Sequence, residues 1–584
     1  MSDTTAEPNG ARSAAPGAPA ADHPPLSHRE IVTILVGLMM GMFLAALDQT
    51  IVASAMRVIA DDLKDLAGQA WVTTAYLITS TIATPLYGKL SDIYGRKKFF
   101  LFAISIFTIG SMLCTLAWSI PSLAAFRAVQ GIGAGGLFSL SLAIIGDIVP
   151  PRERAKYQGY FLAVFGTSSV LGPVIGGFFA GQDTLLGVTG WRWVFLVNVP
   201  IAVAALVVVT RTLHLRHHRL DHRIDYWGAV SLAVALVPLL IVAEQGREWG
   251  WGSGTSILCY VIGAVGLVAF FIIERAMGEE ALLPLRLFRN RTVGAASVAS
   301  IFIGMGMFGG LAALPLYLQI VQGATPTEAG LMLLPMTLGI MSGSIISGQL
   351  ISRTGRYRHF PIIGAFLLVL SLFGFHYITV DTALWLVMVG MYFFGLGLGF
   401  NFQPLTLAVQ NAVDRRDMGV ATSSATFTRQ IGGTLGTAVF LSILFSQAGT
   451  RIGEAFQRAA STPDFRAALR NPTGGDPATN KSFIEGLQAQ AQAGGSGAGS
   501  SALQDSSFIQ QLDPRLARPF LVGFADSMSV VFLAAAAVMV LAVVATFFLP
   551  HVDLGPKPGQ PGQPGQPGAQ QGDSEGAPVA AAGH

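Results

Sequence analysis

Apolar residues in this chain run in stretches long enough to cross a bilayer, separated by short loops that carry much of the Lys and Arg. A spanning helix needs roughly 20 mostly apolar residues. Fourteen stretches meet that length, near 31–56, 71–90, 97–118, 122–146, 157–180, 191–210, 226–244, 256–274, 293–319, 329–351, 360–379, 384–408, 418–446 and 521–549. The pattern predicts an all-α membrane protein, a bundle of fourteen transmembrane helices.

The loops set the expected orientation. Lys89, Arg96, Lys97 and Lys98 share one side with Arg152, Arg154 and Lys156, and with Arg211, Arg216, Arg219 and Arg223. Arg286, Arg289 and Arg291, then Arg353, Arg356 and Arg358, then Arg415 and Arg416 fall on that same side. The positive-inside rule makes it cytoplasmic, which puts both termini in the cytoplasm and the chain in the plasma (inner) membrane as a multi-pass protein. The stretch at about 447–519 also carries arginines, but it is longer than the loops to which the rule applies. It is expected to be an external loop, part helical and part Gly/Ser-rich linker, open to an envelope partner.

The first 26 or so residues have no apolar core of the kind a cleavable signal needs, so the first span is expected to act as its own anchor. The expected organisation is a disordered cytoplasmic tail (1–30), an N-terminal six-helix half (31–225), two inserted helices (226–275), a C-terminal six-helix half (276–549) and a second disordered tail (550–584). The last contains the low-complexity run GQPGQPGQPGAQ.

Composition narrows the function. Hydrophobic residues make up 52% of the chain and charged ones 12%, too few charges for a water-soluble surface. A net charge of +3, with the cations in short loops, argues against a nucleic-acid partner. GIGAGG lies inside a span rather than after a strand and no GxxxxGK[ST] occurs, so no nucleotide is expected. Cys114 and Cys259 both lie in apolar runs and define no metal or redox site. No Ser/His/Asp or Cys/His constellation falls in the spans, so neither an enzyme nor a cofactor is expected.

An internal repeat is legible. Gly88, Asp92, Gly95 and Arg96 in GKLSDIYGRKK return as Gly348, Ser352, Gly355 and Arg356 in GQLISRTGRYR, each 260 residues on. Gly131, Gly133 and Gly135 return as Gly395, Gly397 and Gly399, offset by 264, and Gly172 returns as Gly432. Repeated halves mark secondary transporters, with the substrate site expected at the interface of the halves near the midplane.

Charges deep in the spans are the candidate chemistry. Asp48, in GMFLAALDQTIVASAM, sits where an ionised group costs about 2.5 to 3.5 kcal/mol on insertion scales. Such a carboxylate titrates when its surroundings change. Arg127 lies on one face with Gly131 and Gly135, and the first helix is the expected close neighbour of that face. The alternative is a purely structural ion pair. Gly88, Asp92, Gly95 and Arg96 suit a tight cytoplasmic turn, read either as a gating latch or as a positive-inside anchor. Gly172, Pro173, Gly176 and Gly177 put helix breakers into one span, for bending or for close packing.

Arg429 is a third deep charge, expected to line the substrate cavity, to hydrate it or to pair with Asp526. Gln319, Asn401, Gln403 and Asn198 are neutral polar groups at membrane depth, either lining a substrate cavity or bonding helices together. Glu244, Asp225, Glu274, Asp381 and Asp147 fall near span ends, where solvated or topological roles are expected.

The motifs carry a resemblance. GKLSDIYGRKK looks like the loop signature of the major facilitator superfamily, RAVQGIGAG its fourth-helix motif and GTSSVLGPVIGG the fifth-helix motif of its antiporters. With LDQTIV, WRWVFLVNVPI and fourteen spans, the match is to the fourteen-helix drug:proton antiporters, over about 31–446 and the last span. The resemblance implies proton coupling at Asp48 assisted by Arg127, a latch at Gly88 to Arg96 and a seal against proton leak at Gly172 to Gly177. Ser352 departs from the pattern, so only the first loop has the acid. The implied function is proton-coupled export of lipophilic or cationic drugs and antibiotics by alternating access, with protons, a lipophilic small molecule and membrane lipids as partners. A lipid or metabolite exporter on the same scaffold, and a non-transporting membrane sensor, are the alternatives.

Overall fold

Hydrocarbon offers backbone amides no partner, so each apolar run folds into a helix that satisfies them within the segment. The computed structural model describes residues 28–64, 69–149, 151–213, 225–414, 417–492 and 507–550. Most of both expected tails, the Gly/Ser-rich linker, and Arg216, Arg219, Arg223, Arg415 and Arg416 lie outside the described residues.

In chain order the helices begin with α1 (His28–Asp62), α2 (Gln69–Tyr94), α3 (Arg96–Thr115), α4 (Ile120–Ile148) and α5 (Pro151–Ala180). A two-stranded hairpin, β1 (Thr184–Leu185) and β2 (Val188–Thr189), leads to the short α6 (Trp193–Leu196) and to α7 (Asn198–Thr212). Then follow α8 (Tyr226–Trp249), α9 (Gly254–Met277), α10 (Leu285–Arg289), α11 (Arg291–Leu316), α12 (Pro326–Met332), α13 (Leu334–Thr354), α14 (His359–Phe375) and α15 (Leu384–Asn411). The series closes with α16 (Met418–Ala460), α17 (Pro463–Arg470), α18 (Pro477–Gln492) and α19 (Pro514–Phe547).

Among the described residues, 11 helices are long and apolar enough to cross a membrane, and the apolar parts of α8 and α14 are shorter. Helix α2 also stands on an expected stretch, but it is not among those 11. Ser80, Thr81 and Thr84 of this helix are buried and Thr79 is half-buried. Length and apolarity therefore account for fewer crossings than the fourteen expected.

The chain divides into two compact units. One holds residues up to Val149 and Leu171–Ile224, and the other holds Pro150–Val170 and everything from Asp225 on. The division falls inside α5, and the inserted helices α8 and α9 belong to the second unit.

In the first unit the glycine ladder of α4 corrects the expectation that it faces α1. A Cβ on Gly131 would strike Thr79 and the Tyr76 carbonyl of α2, one on Gly135 the Ser80 carbonyl, and one on Gly133 Ala103 and Phe107 of α3. The reason is helical phase: at 3.6 residues per turn, 131 and 135 share a face while 133 points nearly opposite. A ladder stepped by two residues thus serves two neighbours. Arg127 of α4 still reaches α1 at Asp48, and α5 also meets α1, where Gly172 lies against Thr50 and Gly176 against Ser54.

The second unit repeats this packing. Gly395 and Gly399 press on backbone atoms of α13, Gly397 on Gly364 and Leu368 of α14, while Gly432 and Gly436 meet Ile301 and Met305 of α11. The repeat seen in the letters is therefore a repeat of backbone contacts. Matching Thr50 with Ile301 and Ser54 with Met305 gives an offset of 251 in the first helix of each set. Asp48 then corresponds to Ala299 and Arg127, at the offset of 264, to Met391, both buried and apolar. Only the first unit has an acid and a guanidinium at these positions.

Two of the acids near span ends are not solvated. Asp225 and Glu274 are buried. The Asp225 carboxylate accepts the Gly228 and Leu282 amides, and the Glu274 carboxylate accepts that of Leu283. They clamp the loop that leaves α9, because its amides have no helical partner. Asp381, by contrast, is an exposed partner of Arg518 at 2.6 Å.

The segment expected to be part helical after the thirteenth run carries α17 and α18 as well as the end of α16. Helix α16 continues to Ala460, about 65 Å at 1.5 Å per residue, and hydrocarbon occupies about 30 Å of that. Beyond the apolar run, Ile452, Ala455, Phe456 and Ala459 keep an i, i+3, i+4, i+7 face that a search for unbroken apolarity passes over. On this face, Phe456, Phe465, Phe483, Phe508 and Phe520 form a ring cluster with centroids 4.7–6.4 Å apart.

The buried Asp513 organises the base of this cap, accepting amides from Thr473 and Gly474 at 2.8 and 3.1 Å and the Arg515 guanidinium at 2.8 Å. The Arg515 guanidinium, helped by those amides, holds its carboxyl well below the usual carboxylate range. A depressed folded value contributes stability above the unfolded value, near 4, and loses it as pH falls through the folded one. Asp513→Ala should open the cap to limited proteolysis at neutral pH. In the parent, acid well below that ordinary value should do the same.

Candidate functional site

Asp48 sits within α1 with none of its surface exposed, and Arg127 of α4 is 1% exposed. Arg127 donates from Nη1 to Asp48 Oδ2 at 2.5 Å and to Gln130 Oε1 at 2.7 Å. Gln130, one helical turn on, donates its amide to Asp48 Oδ1 at 2.9 Å. Asn198 of α7 donates to the same Oδ1 at 2.8 Å and to Ser111 Oγ of α3 at 3.1 Å. Ser111 in turn donates to the Phe195 carbonyl at 2.9 Å. The Tyr76 ring of α2 lies under the guanidinium, 4.0 Å from its carbon. Cys114 of α3 closes this side, 3.8 Å from Gln130 Oε1.

Local sequence explains why these groups converge. Arg127, Gln130, Gly131 and Ala134 recur at helical spacing, so the α4 glycines that bring α2 close also bring Tyr76 beneath Arg127. Asn198 opens α7 two residues before Pro200, after the short α6 turn. Trp191 anchors that turn, donating its indole N–H to Asp62 at 2.7 Å. A buried charge pair offsets its desolvation only where further hydrogen bonds satisfy it, and both Asp48 oxygens have donors. Physically this is a titratable site shielded from water.

Sequence reading paired Asp48 with Arg127 and read Asn198 as a cavity or interhelical group. It did not single out Gln130, Tyr76 or Ser111. Gln130 was open to detection as a polar residue one turn from a deep arginine, whereas Tyr76 and Ser111 are ordinary residues whose role depends on helix packing.

The loop between α2 and α3 places the other charged motif. Gly95 takes φ 105°, the region open to glycine, and turns the chain between the two helices. Arg96 pairs with Asp92, with Asp147 at 2.8 Å and with Ser91 Oγ at 2.6 Å, and Ser91 donates to the buried Gly88 carbonyl. Asp147, expected to be solvated, instead ties this loop to α4. In the repeated loop, among the described residues, Ser352 donates only to its own helix at Gln349, and Arg356 is exposed.

Pro173 lies inside an unbroken α5, Gly172 and Gly176 face α1 just past Asp48, and Gly177 is exposed. The substrate-cavity candidates have different partners. Arg429 lies over the Phe402 ring at 4.8 Å, and Asp526 pairs with Arg458 at 2.9 Å rather than with Arg429. Gln403 is buried beside Phe402 in sequence, while Asn401 donates to Gly397 of its own helix and faces Gly364 of α14. Gln319 lies in a π-helical turn after α11, and its carbonyl accepts from Gln510 of the cap at 3.3 Å.

A multi-pass helical protein whose packing repeats once along the chain, with an acid and an arginine buried in one repeat, has the build of a secondary transporter. The chain belongs to the major facilitator superfamily, whose model matches residues 38–437. It is 37% identical over 425 residues to multidrug resistance protein 3 of Bacillus subtilis, covering 72% of this chain and 81% of the relative. It is also 37% identical over 326 residues to a tetracycline resistance determinant of Streptomyces rimosus, covering 56% of this chain and 91% of that one. The solved proton:xylose symporter XylE shares the fold, with a TM-score of 0.53, 13% identity, and coverage of 90% of this chain and 96% of that one.

Proposed function

We propose that this transporter exports lipophilic or cationic compounds, antibiotics among them, in exchange for protons across the plasma membrane, with both termini cytoplasmic. The observation that carries the reading is the fully buried Asp48 carboxylate gripped by Arg127. Its relatives in multidrug and tetracycline resistance supply the substrate class. In the cycle, the carboxylate takes a proton on the external face and gives it up on the internal one, and substrate moves in the opposite sense. One charge crossing 100 mV yields about 2.3 kcal/mol, and that is enough to hold a gradient of tens-fold per proton.

The test is export by purified protein in proteoliposomes under an imposed pH gradient, with ethidium and tetracycline as probes. It is joined by drug susceptibility of a pump-deficient host that expresses the protein. Gradient-dependent export with raised resistance is expected. A gradient-insensitive signal, or none with either probe and no change in susceptibility, sinks the reading and favours a lipid or metabolite substrate.

A further inference from the structure

The two Asp48 oxygens are not equivalent. Among the described residues, Oδ1 accepts from two neutral amides, Gln130 and Asn198, and Oδ2 only from Arg127. Neutral amides cannot take up a proton, and they occupy the lone pairs of Oδ1. A proton arriving from water therefore adds at Oδ2, which has a lone pair beyond the one that Arg127 occupies, and it removes the charge that holds the guanidinium. That would leave Arg127, whose charge persists at any accessible pH, buried without its counter-ion. Among the described residues two contacts remain to it: Gln130 Oε1 at 2.7 Å and the Tyr76 ring face at 4.0 Å.

We infer that Tyr76 and Gln130 form a standby seat for the Arg127 guanidinium, which holds the cation while Asp48 Oδ2 carries the proton. The assignment deepens the proton-exchange reading and rests on it, naming Tyr76 as a positioning residue. The ring face is the part that matters: the Tyr76 hydroxyl is buried with no hydrogen-bond partner among the described residues, so a phenyl ring serves equally. Cations bind aromatic faces most strongly where water is excluded. Arg127 and Gln130 of α4 and Asn198 of α7 bond Asp48, with Tyr76 of α2 against Arg127, Cys114 of α3 against Gln130 and Ser111 of α3 against Asn198. Thr50 and Ser54 of α1 meet the glycines of α5. Arg127 is the only full charge among these partners.

The seat and the amide clamp act in opposite directions, which gives the test its sign. Removing the ring face destabilises the protonated state, and removing an amide donor destabilises the ionised one. The measurement is an infrared titration of the protonated-carboxyl band in nanodiscs, assigned to Asp48 by its loss in Asp48→Asn, and it needs no substrate. Tyr76→Leu should move the midpoint toward acid by about one pH unit. Tyr76→Phe should leave it where the parent has it, and Asn198→Ala should move it toward alkaline pH.

A parent midpoint kept by Tyr76→Leu overturns the seat, as does a Tyr76→Phe shift as large as that of Tyr76→Leu, which would assign the role to the hydroxyl. A parent in which Asp48 never protonates overturns it as well. Failure of ethidium and tetracycline export, with the titration behaving as stated, strikes the function and leaves the seat standing.

Discussion

Asp48→Asn should fold, bind substrate and lose gradient-driven export down to the level of empty liposomes. Asparagine keeps the shape of the side chain and one oxygen to accept from the Gln130 and Asn198 amides, yet it cannot exchange a proton. The neutral residue faces Arg127 without a charge, so a drop in thermal stability is expected beside the loss of coupling. Uncoupled, downhill movement of substrate is the residual activity to look for. Export by the variant that still responds to the pH gradient would transfer the coupling role to another acid.

The second large effect belongs to Arg127. Removing one member of a buried pair costs about 3 to 5 kcal/mol, because the other charge is left uncompensated. Arg127→Leu should therefore melt far earlier in detergent than the parent, and less of it should reach the membrane. Combining it with Asp48→Asn removes the stranded charge, so the double variant should regain most of the lost stability while remaining inactive in transport. A double variant as unstable as Arg127→Leu would mean that the arginine acts mainly through packing against Tyr76 and Gln130. The comparison separates the cost of an unpaired charge from the loss of the function the pair performs.

The sequence carried the architecture through its apolar runs and its repeated glycines, because spanning length and close backbone approach leave direct marks in the letters. Asp48 and Arg127 stood out for a similar reason: a charge inside an apolar run has few explanations. The letters conveyed less about direction. The glycines of α4 lie on two faces and serve α2 and α3, and only the contacts show that α5 lies on α1. Polar groups near span ends were equally ambiguous, since Asp381 is exposed while Asp225 and Glu274 close over backbone amides. The cap was obscured because its helices are amphipathic and short of apolar runs, although Ile452, Ala455, Phe456 and Ala459 keep a helical face. The partners of Arg429 depended on three-dimensional packing, and Asp526 was taken by Arg458 instead.

Helix α16 runs unbroken over 43 residues without proline, and its Gly432, Gly433 and Gly436 are packed against α11, so it moves as one rod. A tilt imposed on its membrane portion reappears, undiminished in angle, some tens of ångströms away at Ala460. The aromatic cluster there makes the cap travel with the rod. A spectroscopic label near Arg458 would thus serve as the needle of a gauge, magnifying small rotations inside the lipid into displacements large enough to measure from outside it.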